Sequence, residues 1–351
     1  MTTPEASTAQ SGPVPPADRL LDVEGLEIQF VTDLGWTTVV EDVSFSLSAG
    51  ETLGLVGESG SGKTVTSLSL MGLIPSPPGR VSKGSIRLEG RELVGMSQRK
   101  LNAIRGEEIA MIFQEPMTSL NPAFKVGDQI AETYRRHRRV SRKEAARQAV
   151  RVLDKVGIPN AERRARSYPH EFSGGMRQRA MIAMALVCDP KVVVADEPTT
   201  ALDVTIQAQV LELMGWMRDE LDMALIFVTH DLGVVADICD RVVVMYAGQI
   251  VEEASIRDLY YQPQHPYSSA LLAAMPQQVS RTQSTELASI PGSPPAPGTF
   301  PVGCRFHPRC EYARDKCTQG EIGDLIRLRE LSNGQTSRCV RVDEIELQGA
   351  R

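Results

Sequence analysis

Gly57-Glu58-Ser59-Gly60-Ser61-Gly62-Lys63-Thr64 follows the apolar run Thr52–Val56 and precedes a helix-like stretch, Lys63–Leu73. That order of strand, glycine loop and helix decides the fold class. Glycines open backbone angles closed to other residues, so successive N–H groups can turn inward on an anion. The helix starting near Gly62 aims its positive end at the same anion. Lys63 adds a point charge suited to the β- and γ-phosphates of a nucleotide, and the Thr64 hydroxyl suits Mg²⁺. The stretch reads as a cradle for the phosphates of ATP inside an α/β domain.

Working outward, Val192-Val193-Val194-Ala195 is a buried-strand pattern that delivers Asp196 and Glu197 at its C-terminal edge. Ligands of open α/β sheets bind at that edge. Asp196 suits the coordination of Mg²⁺, and Glu197 is placed to polarise an attacking water. On its own, Asp-Glu after a strand is more often a polar loop start. Pairing with Lys63 and Thr64 in one chain favours the catalytic reading. Phe172-Ser173-Gly174-Gly175-Met176 precedes another long helix pattern, which Ser173 can cap. Gly174 and Gly175 leave N–H groups bare there for an anion.

From about 22 to 255, strand-like and helix-like segments alternate, as in an α/β domain. Strands are expected at Glu27–Val31, Val39–Leu47, Glu108–Phe113, Lys191–Ala195, Ala224–Val228, Arg241–Met245 and Gln249–Glu252. Helices are expected at Ser173–Cys188 and Val204–Asp222, and residues 126–168 read as a charged helical insert. Residues 1–20, rich in Pro, Ser, Thr and Ala, read as a disordered tail without the apolar core of a signal peptide. Residues 276–303 read as a proline-rich linker leading to a cysteine cluster.

The order of motifs resembles the nucleotide-binding subunit of an ABC transporter: the Gly57–Thr64 loop, Gln114, Ser173-Gly174-Gly175, Asp196-Glu197, Ala201-Leu202-Asp203 and His230. The implied fold is an ABC-type phosphate-loop ATPase core over 21–255, with a helical insert at about 115–172. A small cysteine-bearing extension at 256–351 follows it. The resemblance implies a second ABC ATPase subunit, identical or homologous, whose Ser173 loop closes over the ATP on this Lys63 loop. It implies that Gln114 contacts Mg²⁺ or the attacking water, that His230 holds the γ-phosphate and orients Glu197, and that Asp203 lies at the dimer contact. Phe30 is the candidate for stacking on adenine, with Trp36 competing and a core role as the plainer alternative. The chain departs from the commonest signature, Leu-Ser-Gly-Gly-Gln, at Phe172 and Met176.

His265-Pro266-Tyr267, Pro291-Gly292-Ser293-Pro294-Pro295 and Gln114–Pro122 resemble the dipeptide and oligopeptide import ATPases, with nickel and other small-solute importers as the alternative. That resemblance implies two membrane permease subunits as partners, an extracytoplasmic solute-binding protein reached through them, and a place at the cytoplasmic face of the membrane. Cys304-x₅-Cys310-x₆-Cys317-x₂₁-Cys339 offers four thiolates for Zn²⁺ or an iron–sulfur cluster. The wide spacing, Pro308 and the resemblance favour a [4Fe–4S] cluster, with Zn²⁺ or unligated thiols as alternatives. Cys188 and Cys239 sit singly among apolar residues and read as core.

The 351 residues carry 42% hydrophobic and 23% charged side chains, enough for a real core, and a net charge of −6 that argues against a dedicated nucleic-acid binder. No apolar run approaches the roughly 18 residues of a membrane span. The basic run Arg135-Arg136-His137-Arg138-Arg139 reads as a solvated helix face, or as contact with anionic lipid or an acidic partner. A non-transport ABC ATPase acting on DNA or ribosomes is the rival reading, but the chain shows neither a split ATPase nor a second one.

Overall fold

In the computed structural model, which describes residues 19–33, 35–114, 119–200, 203–275, 289–319 and 326–350, the first strands are Arg19–Thr32 (β1), Gly35–Ser48 (β2) and Thr52–Val56 (β3). Gly79–Leu88 (β4), Arg91–Glu92 (β5) and Ile109–Ile112 (β6) follow. Val192–Asp196 (β7), Ala224–Thr229 (β8), Arg241–Tyr246 (β9) and Gln249–Ser255 (β10) complete the core, and Arg329–Glu330 (β11) and Thr336–Ser337 (β12) come last. They build two sheets, a four-stranded antiparallel one ordered β2-β1-β4-β5 and an eight-stranded one ordered β11-β12-β10-β9-β3-β8-β7-β6.

The five strands β9, β3, β8, β7 and β6 are parallel and buried along their whole length. Burial on both faces explains why they read as unbroken apolar runs. The period of two then divides each strand between two cores. Val192 and Val194 of β7, with Ile226 and Val228 of β8, face the antiparallel sheet, meeting Leu21, Val23, Val40 and Ile86. Val193, Ala195, Leu225 and Phe227 face the opposite way, toward a helical layer.

The helices are Lys63–Leu70 (α1), Gln98–Ile104 (α2), Val126–His137 (α3), Arg142–Lys155 (α4) and Gly174–Leu186 (α5), then Val204–Leu221 (α6), Leu232–Ile238 (α7), Ile256–Tyr261 (α8) and Pro266–Ala273 (α9). In the insert, Val126 and Ile130 of α3 and Ala145, Ala149 and Leu153 of α4 recur at four-residue spacing and are fully buried. Ser141 caps α4 by accepting the Glu144 N–H at 3.2 Å. The basic run closes α3, where cations favour the negative helix end. Arg138 there pairs with Glu107 at 2.6 Å.

β1 and β2 exceed their expected lengths by the widest margin, and β4, β5, β11 and β12 were not expected. β1 and β2 extend beyond Glu27–Val31 and Val39–Leu47 because each pairs along its length with the other. β1 begins at Arg19, so Arg19 and Leu20 of the expected tail belong to the antiparallel sheet; residues 1–18 lie outside the described residues. β4 starts at Gly79, the last residue of the stretch Pro75-Ser76-Pro77-Pro78-Gly79. Its charged, glycine-bearing sequence alternates poorly, and its strand state comes from pairing with β1.

The segment beyond Ser255 packs onto the same body. β12 pairs antiparallel with β10, adding to the edge of the main sheet. Phe306 is 2% exposed and packs edge-on to Tyr246 and Tyr267, with ring centroids 5.2 and 5.3 Å away. Arg305 is buried and pairs with Glu41, while Arg338 is buried and reaches Asp42 at 2.9 Å and the Ile250 carbonyl at 2.7 Å. Both guanidiniums are anchored on β2 and its neighbours in the nucleotide-binding body. Truncating Phe306 to Ala is expected to lower unfolding stability by about 3–5 kcal/mol, as for other buried Phe side chains, measured by denaturant titration of the whole chain.

Candidate functional site

The 57–64 loop runs from the end of β3 to the start of α1. Two glycines are required by its shape. A side chain at Gly57 would sit 2.2 Å from the Met245 carbonyl, and Gly62 turns the chain into α1 at φ 101°. Lys63 folds back over the loop, donating to the carbonyls of Gly57 at 2.8 Å and Glu58 at 3.0 Å. Burial is the largest influence on this ammonium and lowers its pKa, against the pull of Glu197, Asp196 and Glu58.

The parallel register brings the other motifs to the same edge. Val56 lies abreast of Thr229, and Asp196 abreast of Val228. Thr64, from the loop, donates its hydroxyl to Asp196 Oδ1 at 3.4 Å. Burial raises the Asp196 pKa, while the Thr64 hydrogen bond and Lys63 act the other way. The Thr64 and Asp196 oxygens expected to hold Mg²⁺ therefore already meet, near the buried Lys63.

Glu197 is the hub of the arrangement. Its backbone adopts a left-handed conformation, φ 46°, and its N–H donates to the Val228 carbonyl at 2.9 Å. That turn throws the carboxylate out beyond the strand end. Glu197 Oε2 accepts from Gln114 Nε2 at 3.0 Å and from the Thr200 hydroxyl at 2.8 Å, and Oε1 lies 3.4 Å from His230 Nδ1. Gln114, Glu197 and His230 thus meet, as three separate stretches of sequence suggest. A non-glycine residue held at positive φ is costly and clusters at functional sites.

Known proteins are similar to this chain along most of its length. Residues 40–200 match the ABC transporter family, and residues 251–317 match the C-terminal region of the oligopeptide/dipeptide transporter family. The chain is 49% identical over 341 residues to the oligopeptide transport ATP-binding protein OppD of Salmonella typhimurium, covering 97% of this chain and 99% of that one. It is 54% identical over 295 residues to OppD of Bacillus subtilis, covering 84% and 82%. The chain belongs to the ABC transporter family. In fold it is similar to a dimeric ATP-binding cassette solved in a post-hydrolysis state with ADP and phosphate, at TM-score 0.61 and 23% identity, over 68% of this chain and 99% of that one.

The family's signature stretch begins α5. Ser173 caps α5, accepting the Met176 N–H at 3.3 Å, and Ser173 and Gly174 are exposed. Among the described residues no hydrogen bond joins Ser173–Gly175 to the 57–64 loop of the same chain. Phe172 is buried in the helical core, so the departure there is a packing residue. Asp203 caps α6 by accepting the Ile206 N–H at 3.0 Å, and Ala201 and Leu202 lie outside the described residues, as do Glu115–Thr118 of the glutamine loop. Phe30 is half-buried against the second core, its ring 2.8 Å from where a side chain at Gly79 would begin. Trp36 is 45% exposed, with the Arg80 guanidinium 3.9 Å over its ring.

Cys304, Cys310, Cys317 and Cys339 all line one cavity, together with His265, Phe306 and His307. Burial raises the thiol pKa of Cys304 to about 12 and of Cys339 to about 11, with the neighbouring cysteines adding to the shift. The donor set suits a soft metal or an iron–sulfur cluster. The room does not suit a cluster as the side chains stand, because the cavity is about 20 Å³, close to the space of one water. Among the described residues no three Cys, His, Asp or Glu side chains are set to hold a metal ion. His307 opens a short 3-10 helix, His307–Arg309, and turns Nδ1 to the Cys304 carbonyl at 2.9 Å. Cys188 and Cys239 are buried core residues, as expected.

Two contributors had no sequence signal of their own. Thr200 holds the Glu197 carboxylate, and buried Gln178 of α5 donates to the Pro198 carbonyl at 2.7 Å, tying the signature helix to the carboxylate loop. A hydroxyl three residues after an acidic side chain is common in any loop, and Gln178 looks like an ordinary polar helix residue. Thr200→Val is expected to lower ATP turnover about tenfold with ATP affinity little changed, the effect of losing one positioning hydrogen bond, measured by steady-state phosphate release and by ATP titration.

Proposed function

We propose that this chain is the ATP-binding and hydrolysing subunit that powers import of di- or oligopeptides through partner membrane permeases. The observation that carries the reading is identity at about half the residues to oligopeptide transport ATP-binding proteins along nearly the whole chain. It embraces both the nucleotide core and the 251–317 region that matches oligopeptide/dipeptide transporters. Among the described residues no helix is long and apolar enough to cross a membrane, so transport in this reading runs through partner subunits that span it. A solute-binding protein would meet those permeases on the far side, leaving this chain at their cytoplasmic face.

In this reading Lys63 leaves the Gly57 and Glu58 carbonyls and turns to the β- and γ-phosphates, while the N–H groups of Gly60–Thr64 hold the same anion. Thr64 and Asp196, with Gln114 nearby, are the residues to hold Mg²⁺, which when bound offsets phosphate charge. Glu197 takes a proton from the attacking water as the water oxygen bonds to the γ-phosphorus and the bond to ADP breaks. His230 and Thr200 fix the Glu197 carboxylate, and His230 is placed to reach the γ-phosphate. Ser173–Gly175 would close over the site of a second, identical or homologous subunit; the exposure of Ser173 and Gly174, and the lack of a hydrogen bond to this chain's own loop among the described residues, support that reading. Adenine would stack on Phe30, or on the more exposed Trp36.

Glu197→Gln removes the proton acceptor and keeps the shape. It is expected to bind ATP normally, to hold a closed pair of subunits, and to lose turnover by at least about 100-fold. Turnover at the wild-type level would remove Glu197 from the role of base.

For the four cysteines we propose a [4Fe–4S] cluster that anchors the C-terminal region, with Zn²⁺ as the alternative. Convergence of all four thiols on one cavity supports it; binding would have to open that cavity and release the thiol protons. An anaerobic preparation is expected to be brown, with absorbance near roughly 400 nm from thiolate-bound iron, and Cys310→Ser with Cys317→Ser to be colourless. Colourless wild-type protein with one zinc per chain would assign the site to Zn²⁺.

A further inference from the structure

Glu58, the second residue of the phosphate loop, is held on three sides. Its N–H donates to the Tyr267 hydroxyl at 2.8 Å. Its carbonyl accepts from Lys63 at 3.0 Å. Its carboxylate takes a two-pronged ion pair from Arg309, Nη1 to Oε2 at 2.7 Å and Nη2 to Oε1 at 3.0 Å. Two of those three partners come from the C-terminal region, more than 200 positions away in sequence.

The Arg309 guanidinium has no slack. Nε donates to the Pro291 carbonyl at 2.8 Å, Nη2 also to the Ile290 carbonyl at 3.3 Å, and Nη1 also to the Tyr246 hydroxyl at 3.4 Å. Every N–H of the fork therefore has an acceptor, and the side chain is 5% exposed. The platform beneath it is rigid. Tyr246 and Tyr267 are buried with ring centroids 4.6 Å apart, and Phe306 packs on both. Tyr246 follows Met245, whose carbonyl is the wall against Gly57. Phe306 and Arg309 lie between Cys304 and Cys310, two of the residues around the thiol cavity.

Such a pair could be mere packing glue, but its place argues for more. A carboxylate in a loop built to receive a triphosphate repels that ligand unless it is neutralised, and a glycine-rich loop binds tightly only if its backbone is held in the receiving shape. Arg309 does the first by a bidentate, buried pairing. Tyr267 and Arg309 together do the second, pinning Glu58 by its amide and its carboxylate.

We propose that Arg309 and Tyr267 are positioning residues for the phosphate loop, forming a latch through Glu58 by which the C-terminal region sets ATP affinity. The proposal rests on the reading of the 57–64 loop as the ATP site. Both act on the nucleotide through Glu58, the loop residue that each of them holds.

The test is calorimetric titration of the full-length chain with Mg-ATP, with the melting temperature measured alongside. Arg309→Ala is expected to weaken ATP binding about tenfold, the scale of losing a charge-assisted positioning contact. Arg309→Lys, which keeps the charge but not the fork, is expected to fall between it and wild type. Adding Glu58→Gln to Arg309→Ala should recover much of the affinity, because the uncompensated carboxylate is then gone. A packing role alone would lower the melting temperature of both single variants, leave ATP affinity unchanged, and give no recovery in the double variant. That pattern would overturn the latch. If Arg309→Ala does not fold, Tyr267→Phe and Arg309→Lys carry the test, and wild-type affinity in both would equally overturn it. Failure of the wild-type chain to bind Mg-ATP would overturn the ATP reading, and the latch with it.

Discussion

The site depends first on the register of three parallel strands. β3, β8 and β7 pair side by side so that Val56 meets Thr229 and Val228 meets Asp196. All three strands therefore end at one level, and they deliver the phosphate loop, Glu197 and His230 to one edge. A slip of one residue in either pairing would turn every side chain of the shifted strand to the opposite face. Each face is committed to a different core, Val192 and Val194 to one, Val193 and Ala195 to the other. The apolar packing of the sheet thus fixes the spacing of the polar groups at its edge.

At that edge, backbone conformation does the final aiming. Glu197 departs from the strand through a left-handed turn, and the N–H that the turn frees goes to Val228 of the neighbouring strand. Without that hydrogen bond the turn would leave a backbone donor unpaired and a strained angle unsupported. With it, the carboxylate sits where Gln114, Thr200 and His230 converge. Asp196, one residue earlier and still in the strand, points back to Thr64. Adjacent acids are thereby given different neighbours.

The parallel strands and the motifs gathered at their edge were legible in the sequence because each has a local cause. Full burial writes a strand such as Ala224–Thr229 as a continuous apolar run, and anion binding writes Gly57–Thr64 as a fixed spacing of glycine, lysine and threonine. β4 was not legible, because its strand state depends on pairing with β1 and its own residues argue for a loop. Thr200 and Gln178 were hidden for a related reason: each acts through a hydrogen bond to a residue whose importance lies elsewhere. Nor did Arg305, Arg309 and Arg338 stand out among 38 basic residues, since an arginine destined for burial looks like any other until its partner is known.

Those three arginines bear on how the C-terminal region belongs to the molecule. A guanidinium taken out of water is costly unless its charge and its donors are all met, and a pair that loses one member leaves a buried charge without compensation. Here the acids that meet them, Glu41, Glu58 and Asp42, all lie on the nucleotide-binding side of the chain. Each half therefore supplies the counter-charge that the other needs. β12 extends the same dependence to the backbone, its hydrogen bonds completing the edge of β10. A region bound only by apolar contacts could slide or detach with little regard to direction. One bound by ion pairs of buried guanidiniums has a single position, and the forked pair among them, Arg309 with Glu58, grips the phosphate loop itself. The geometry of the nucleotide site and the seating of the C-terminal region are consequently one constraint, and a change in either must be felt in the other.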